Sequence, residues 1–492
     1  MSGNNTGALL IIAAFMIIPL IMGAVAGKKS IPTTEDFFVQ GRGMGSVAVF
    51  FTVAATWWSA FAFMGSNAYF FKNGPLYWTA IAWNLLFGIM YFGVGKKIWY
   101  LGKLNNFITA KDFFVHQYGS TKLGNLVAII SLVFTLPYLQ IQLTGGAYLI
   151  ETASGGIINF KIAALLFYVI IIIYVWSGGL RAVAWTDIFY GILLFFGMVF
   201  AGFYIANLLG GTTEVFAELK EVKPENLILG NNAMGWLSMF IVTPIGSFMG
   251  PQLWTRMYAV KSGRLFNLMP FLLGFAAIAY IGSMLVGNSA VLLEPNIENP
   301  DYVLPVILFK YAPFVLASAI IACGAAAAMS TANSQIHSMS AVWTVDIHQK
   351  YINKDLSQKQ LVWVGRWTIL ILSAIAYVMC LLIPGLLVQI GLVALAGTAQ
   401  IFIPTAGALF WKKSNTTGAF AGIVAGVAAL CSFTFVPATL PAIFAGGGGL
   451  ISLLVNLVVF IMVSSLTKPR PTRLIEKLQE QYKAFYEGKD LA

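Results

Sequence analysis

LLFFGMVFAGFYIANLL, residues 193–209, carries no charged side chain at any position, and LISLLVNLVVFIMVSSL at 450–466 reads the same way. A helix on the surface of a soluble domain keeps one polar face, whereas a helix that is apolar all round is buried in protein or lipid. Crossing ~30 Å of hydrocarbon takes ~20 such residues, so both stretches read as membrane spans. The whole chain agrees: of 492 residues 59% are hydrophobic and only 10% charged, against about a quarter charged in a soluble domain. The reading is an all-α polytopic membrane protein.

Working outward, apolar runs divided by charged or Pro/Gly-rich breaks predict about 13 transmembrane helices. They lie near 7–27, 46–71, 76–99, 123–150, 160–178, 184–209, 233–256, 266–290, 304–346, 364–383, 387–411, 417–437 and 441–466. The first run starts close to Met1 without a basic leader and is expected to be a retained span, not a cleaved signal. Residues 1–466 are expected to form one transmembrane domain, and the basic, polar tail 467–492 a short cytoplasmic helix.

The formal net charge of +11 offers no basic face to a nucleic acid, because the cations sit in short loops between apolar runs. With the N-terminus outside, the inner loops and the tail hold 24 of the 29 Lys and Arg residues; only Lys72, Lys161, Lys220, Lys223 and Lys310 fall elsewhere. That bias is the positive-inside pattern of an inner (plasma) membrane protein with a cytoplasmic C-terminus. The acidic stretches 214–225 and 294–301 then face outward. Cys323, Cys380 and Cys431 lie in apolar runs without metal-ligand spacing and read as packing residues.

Two spans carry helix-breaking sequence at depth. One is Ala54-Ala55-Thr56-Trp57-Trp58-Ser59-Ala60 with Gly65 beyond; the other is Thr243-Pro244-Ile245-Gly246-Ser247 followed by Gly250-Pro251-Gln252. Backbone freed inside a membrane persists only when buried in protein or lining a wet cavity, and interrupted helices in matching positions of two repeats mark transporter sites. These two are five spans apart, which suits a five-plus-five repeat; ordinary Pro and Gly kinks give the same pattern.

Chemistry concentrates in two further stretches. In Ala325-Ala326-Ala327-Ala328-Met329-Ser330-Thr331-Ala332-Asn333-Ser334 small residues permit close helix approach, and hydroxyls and an amide supply the neutral oxygens a sodium ion prefers. Interhelical hydrogen bonding explains the same residues. In Gly178-Gly179-Leu180-Arg181-Ala182-Val183-Ala184-Trp185-Thr186-Asp187, a carboxylate lies just inside a span. An intramembrane carboxylate is a functional candidate by default, with pairing to nearby Arg181 as the structural alternative.

The Gly178 to Asp187 segment, the Met329-Ser330-Thr331 segment, and Gly250-Pro251-Gln252 leading to Arg256 together resemble the sodium:solute symporter family, which includes bacterial sodium/proline, sodium/pantothenate and sodium/galactose symporters. Ala396-Gly397-Thr398 to Trp411-Lys412, then Gly418-Ala419-Phe420-Ala421-Gly422, extend the likeness along the chain. The resemblance implies a LeuT-type five-plus-five inverted repeat, with core repeats about 46–209 and 233–411 and core helices one, six and eight at 46–71, 233–256 and 304–346. It implies a sodium site from the carbonyls of Ala55, Trp58 and Ala327 and the hydroxyls of Ser330 and Thr331. Some members bind a second sodium; the matching residues here are Asp187, Ser330, Asn333 and Ser334, with Asn333 in place of a serine. Trp57 stands where the sodium/proline branch has an aspartate, so the pocket lacks that fixed charge. Candidate solute contacts are Trp57, Ser59, Tyr138, Gln140, Gln142, Thr243, Ser247, Thr398 and Gln400.

No Gly-rich phosphate loop is present for a pump, and His116, His337 and His348 form no catalytic set, so the chain is not expected to be an enzyme. The expectation is sodium-coupled uptake of a small organic solute, with a monocarboxylate, pantothenate-like acid or amino acid favoured by family breadth. A proton-coupled or passive transporter of the same fold, or a solute channel, are the alternatives. One sodium crossing ~100 mV gains about 2.3 kcal/mol and a tenfold gradient about 1.4; together these hold a neutral solute roughly 500-fold concentrated.

Overall fold

The computed structural model describes residues 2–28, 31, 33–230, 233–383 and 385–486, so the end of the expected tail, 487–492, lies outside the described residues. Eight helices are long and apolar enough to cross a membrane: Thr121–Ala153, Gly179–Leu208, Arg264–Leu293, Phe314–Ile352, Gln358–Leu382, Leu387–Phe410, Thr416–Phe435 and Gly448–Leu466. Two more spans are bent pairs, Ser46–Trp57 with Phe61–Tyr77 at 53° and Ala233–Met249 with Pro251–Ala259 at 58°.

That makes up to ten spans among the described residues by length and composition, not the thirteen expected. The remaining runs are helical but shorter or interrupted. The N-terminal helix Ser2–Gly27 contributes the short apolar stretch Thr6–Ile18. The 79–105 stretch passes through a π-helical turn at Tyr91–Gly95 before reaching the charged Lys96–Asn105 helix. Gly179, at φ 55° and ψ −156°, kinks the fifth run away from the sixth. A side chain there would be strained by its φ and would also press on Phe37. The long 304–346 run divides at Ala312-Pro313 into Val303–Tyr311 and Phe314–Ala341, as expected where proline cannot continue a helix.

Phe314–Ala341 is the central element. It packs against Ser2–Gly27, Ser46–Trp57, Thr121–Ala153, Pro251–Ala259 and Gln358–Leu382 as well as the Asp187-bearing helix, and every residue from Ile320 to Ala341 is buried. Its alanines explain this: with only a methyl at 325–328, neighbouring backbones come close on several sides. Glycine plays the same role in the contact of Gly179–Leu208 with Arg264–Leu293, where a Cβ on Gly202 would overlap Gly282 and one on Gly282 would overlap the Met198 carbonyl. At the periphery, Gly418, Gly422 and Gly426 repeat every fourth residue along Thr416–Phe435, and Cβ atoms there would strike Ser464, Asn456 and Gln400 respectively.

The acidic loop after Leu293 is less exposed than its composition suggests. Asp301 is buried and accepts the Leu387 backbone N–H at 3.1 Å, pinning the start of Leu387–Ala399. Burial pushes its carboxyl up to about 7, against the Leu387 hydrogen bond and Lys72, which pull it down. Between the unfolded value of about 3.9 and that folded value the native state binds more protons than the unfolded one, so stability falls as pH rises through this window. Asp301→Asn keeps an acceptor for Leu387 and is expected to flatten that slope in thermal unfolding between pH 4 and 8; an unchanged slope would assign it to other groups.

Candidate functional site

The first bend is built by three residues. Trp58 leaves helical geometry at φ −80° and ψ 71° while its N–H still bonds the Ala54 carbonyl at 2.8 Å. The helix that restarts has orphan N–H groups. Ser59 Oγ accepts from the Phe61 N–H at 3.1 Å, and Gln142 Oε1, reaching across from Thr121–Ala153, accepts from the Ala60 N–H at 2.9 Å. The Tyr138 hydroxyl lies 3.3 Å from Ser59 Oγ. The bend is therefore held open by side chains, with its preceding carbonyls turned to the central helix. There the Thr331 hydroxyl donates to the carbonyls of Ala55 at 3.3 Å and Thr56 at 3.2 Å. Ala327 and Ser330 are buried on the same helix.

The second bend lies at Gly250-Pro251, not at Pro244, through which Ala233–Met249 runs continuously. Proline at the first helical position of Pro251–Ala259 starts a new helix without losing a bond. One turn on, this segment carries Arg256 into the interior, where both it and Asp187 are fully buried. Arg256 Nη2 lies 3.2 Å from Asp187 Oδ2; its Nε donates to Thr52 Oγ1 at 2.8 Å and its Nη1 to the Gln252 carbonyl at 2.9 Å. The same guanidinium donates to Ser334 Oγ, and Thr52 and Ser330 each donate a hydroxyl to Asp187. Ser334 closes the set by donating to the Ser330 carbonyl at 2.8 Å. Asn333 is buried beside this network with neither end of its amide bonded.

Two readings of the sequence are corrected here. The partner of Asp187 is Arg256, not Arg181, which instead pairs with Asp36 at 2.8 Å. Arg256, counted among the inner-loop cations, is buried inside the protein. Arg256 and Thr52 were missed as members of the cluster. The available signal was a lone arginine inside an otherwise apolar segment, which needs a buried counter-charge.

The candidate solute contacts separate into groups. Ser59, Tyr138 and Gln142 meet at the first bend. Thr398 donates to the Gly246 carbonyl at 2.8 Å and, with Tyr138 and Gln252, lines a cleft between Thr121–Ala153, the second broken helix and Leu387–Ala399. Ser247 is buried close by on the same broken helix as Gly246. The cleft encloses only about 10 Å³, room for one water at most, so a solute enters only if these helices part. Trp57 faces elsewhere: its ring stacks on Phe87 at 4.4 Å and its Nε1 donates to Asn84 at 2.7 Å. Gln140 donates to the Ile383 carbonyl, and Gln400 bonds Ser452 and Asn456 on Gly448–Leu466. Thr243 lines a separate opening of about 340 Å³ beside Ser238 and Gln389.

The chemistry this arrangement offers is coordination and packing. His337 is spent on the Phe37 carbonyl at 2.8 Å. His116 lies in the Ala110–Tyr118 helix, and burial with Lys477 pushes it down to about 4, leaving it neutral. Among the described residues no three His, Cys, Asp or Glu side chains gather to hold a metal ion.

Comparison with known proteins places this geometry. The sodium/pantothenate symporter of Haemophilus influenzae is 26% identical over 437 residues, covering 85% of this chain and 88% of the relative. Sodium/proline symporter 2 of Staphylococcus saprophyticus is 28% identical over 439 residues, covering 85% and 84%. Among solved structures, a Na+-coupled sialic acid symporter in a substrate-bound outward-open state superposes with TM-score 0.77 at 17% identity, covering 94% of this chain and 98% of that one. The fold is thus the LeuT-type architecture expected from the sequence. The family model described as the sodium:solute symporter family matches residues 37–426. With two bent helix pairs and a family match over most of its length, the chain is a multi-pass membrane transporter belonging to the sodium:solute symporter family.

Proposed function

We propose that the chain couples the inward movement of one sodium ion to that of a small carboxylate-bearing solute by alternating access. The sodium would sit among the carbonyls of Ala55, Trp58 and Ala327 and the hydroxyls of Ser330 and Thr331. One observation carries this reading: the Thr331 hydroxyl stands within 3.3 Å of two carbonyls at the helix break, so neutral oxygens from two separate helices already converge. A sodium ion bridging them would tie the first broken helix to the central helix and favour the state in which the Tyr138–Thr398 cleft is open.

The second ion set, Asp187, Ser330, Asn333 and Ser334, is read differently. The Arg256 guanidinium already neutralises Asp187 and bonds Ser334, so a fixed cation stands in for a second sodium. The solute class rests on relatives named for proline and pantothenate. The orientation, with the N-terminus outside and the tail cytoplasmic, rests on the Lys and Arg bias of the loops.

The test is thermal unfolding of the purified protein over a sodium titration against equal potassium or choline, followed by uptake of proline and of pantothenate into proteoliposomes. Saturation at ~100 times the dissociation constant is expected to stabilise by about 2.7 kcal/mol, with uptake depending on sodium as a simple hyperbola. No sodium preference would redirect the reading to proton coupling or passive transport, and a Hill coefficient near two would restore the second ion.

A further inference from the structure

Away from the transport core, the helix Thr472–Tyr486 docks against the end of Leu387–Phe410 and encloses a cavity of about 300 Å³. Lys412, Arg470 and Lys483 line it, and none of its described lining residues is acidic. Arg470 is buried, and two of its nitrogens donate to the carbonyls of Gln117 and Trp411 at 3.3 and 3.4 Å. Its Nε is buried with no partner. Burial holds this guanidinium below its ordinary range, as expected of a cation short of a counter-charge. Lys97 lies 4.2 Å above the ring of Phe410, adding a further cation at the rim.

Directly adjoining is a second cavity of about 390 Å³, of opposite character, running between Leu387–Phe410 and Gly448–Leu466. Its walls are Ile403, Ala406, Gly407, Leu457 and Ile461, closed by the edge-on pair Trp411 and Phe460 at 5.3 Å. Trp411 belongs to both cavities. A tryptophan at this junction is the usual side chain of a membrane–water boundary. A cavity lined by cations and an apolar groove thus share one indole as a common wall.

We propose that these two cavities form one site for an anionic phospholipid, its phosphate among Lys412, Arg470 and Lys483 and an acyl chain along the Ile403–Ile461 groove. The occupant follows from charge complementarity and from the shared Trp411 wall: a soluble anion explains the cations but not the groove, and a neutral lipid the groove but not the cations. Basic pockets between membrane helices bind lipid headgroups on these terms. The lipid would glue the terminal helix to the transport body.

The test uses the full-length protein in detergent, with retained lipid read by native mass spectrometry. Dioleoyl phosphatidylglycerol, dioleoyl phosphatidylcholine and inorganic phosphate are the probes. Retention of phosphatidylglycerol over phosphatidylcholine, without competition from millimolar phosphate, is the expected result. Lys412→Gln with Lys483→Gln, both on exposed side chains, is expected to lower phosphatidylglycerol affinity about 30-fold, as for two lysines at an anionic headgroup. Ala406→Phe fills the groove without touching a charge and is expected to lower it comparably. Equal retention of both lipids, full competition by phosphate, or indifference to either variant overturns the proposal.

Discussion

Asp187→Ala is expected to cost about 3–5 kcal/mol of folding stability, the penalty for stranding a buried cation. The Arg256 guanidinium would keep Thr52, Ser334 and the Gln252 carbonyl but lose the Asp187 carboxylate it pairs with. Arg256→Met strands the carboxylate instead, although Thr52 and Ser330 still donate to it, so its cost should be the smaller of the two. The informative protein is the double variant Asp187→Leu with Arg256→Met. Replacing both partners of a buried pair by apolar groups is often close to neutral, so the double variant should unfold well above either single one. A double-mutant cycle by thermal unfolding in detergent measures this coupling. Strictly additive losses would mean that the two residues matter through packing and not through their charges.

Thr331→Ala and Ser330→Ala should fail in different ways, although both remove one hydroxyl from the same turn. Thr331 donates to the Ala55 and Thr56 carbonyls and to nothing charged. Its loss is expected to leave stability in potassium nearly intact and to remove most of the ~2.7 kcal/mol that near-saturating sodium adds. Ser330 donates to Asp187, so Ser330→Ala leaves a buried carboxylate one donor short. A lost hydrogen bond to a charged group costs about 1.5–3 kcal/mol, and that loss should appear in potassium and sodium alike. Thermal unfolding of both variants in the two salts separates the roles; a full sodium shift in Thr331→Ala would remove this residue from the ion site.

What could be read in the sequence follows from how local each signal is. The bend at Trp58 was visible because its polar and small residues sit together in seven positions, and the Gly250-Pro251 start because proline carries its own geometry. Span number was less legible: neither the π-helical turn at Tyr91–Gly95 nor the division at Ala312-Pro313 interrupts apolar composition enough to show. At the site, Ser330 and Thr331 stood out as hydroxyls beside a run of alanines. Arg256 was legible as a lone arginine in an apolar segment, but its partner was not, because Asp187 lies on another helix and such pairings leave no trace in spacing. The solute candidates fared unevenly for the same reason. Trp57 and Gln400 are buried polar-tipped residues, and nothing in the chain announces that Asn84 and Asn456 are there to receive them.

The contact at Gly202 and Gly282 bears on which parts of the protein can move. Where two helices meet through side chains, those side chains rotate and let one rod slip against its neighbour. Here backbone lies on backbone, with less clearance than a single methyl. Slippage would drive the Met198 carbonyl into the opposing chain, so Gly179–Leu208 and Arg264–Leu293 are expected to move together as one plank. Asp187 rides on that plank while Arg256 and Thr52 belong to the two bent helices beside it, so the salt bridge marks the seam along which plank and bends must part company or travel together.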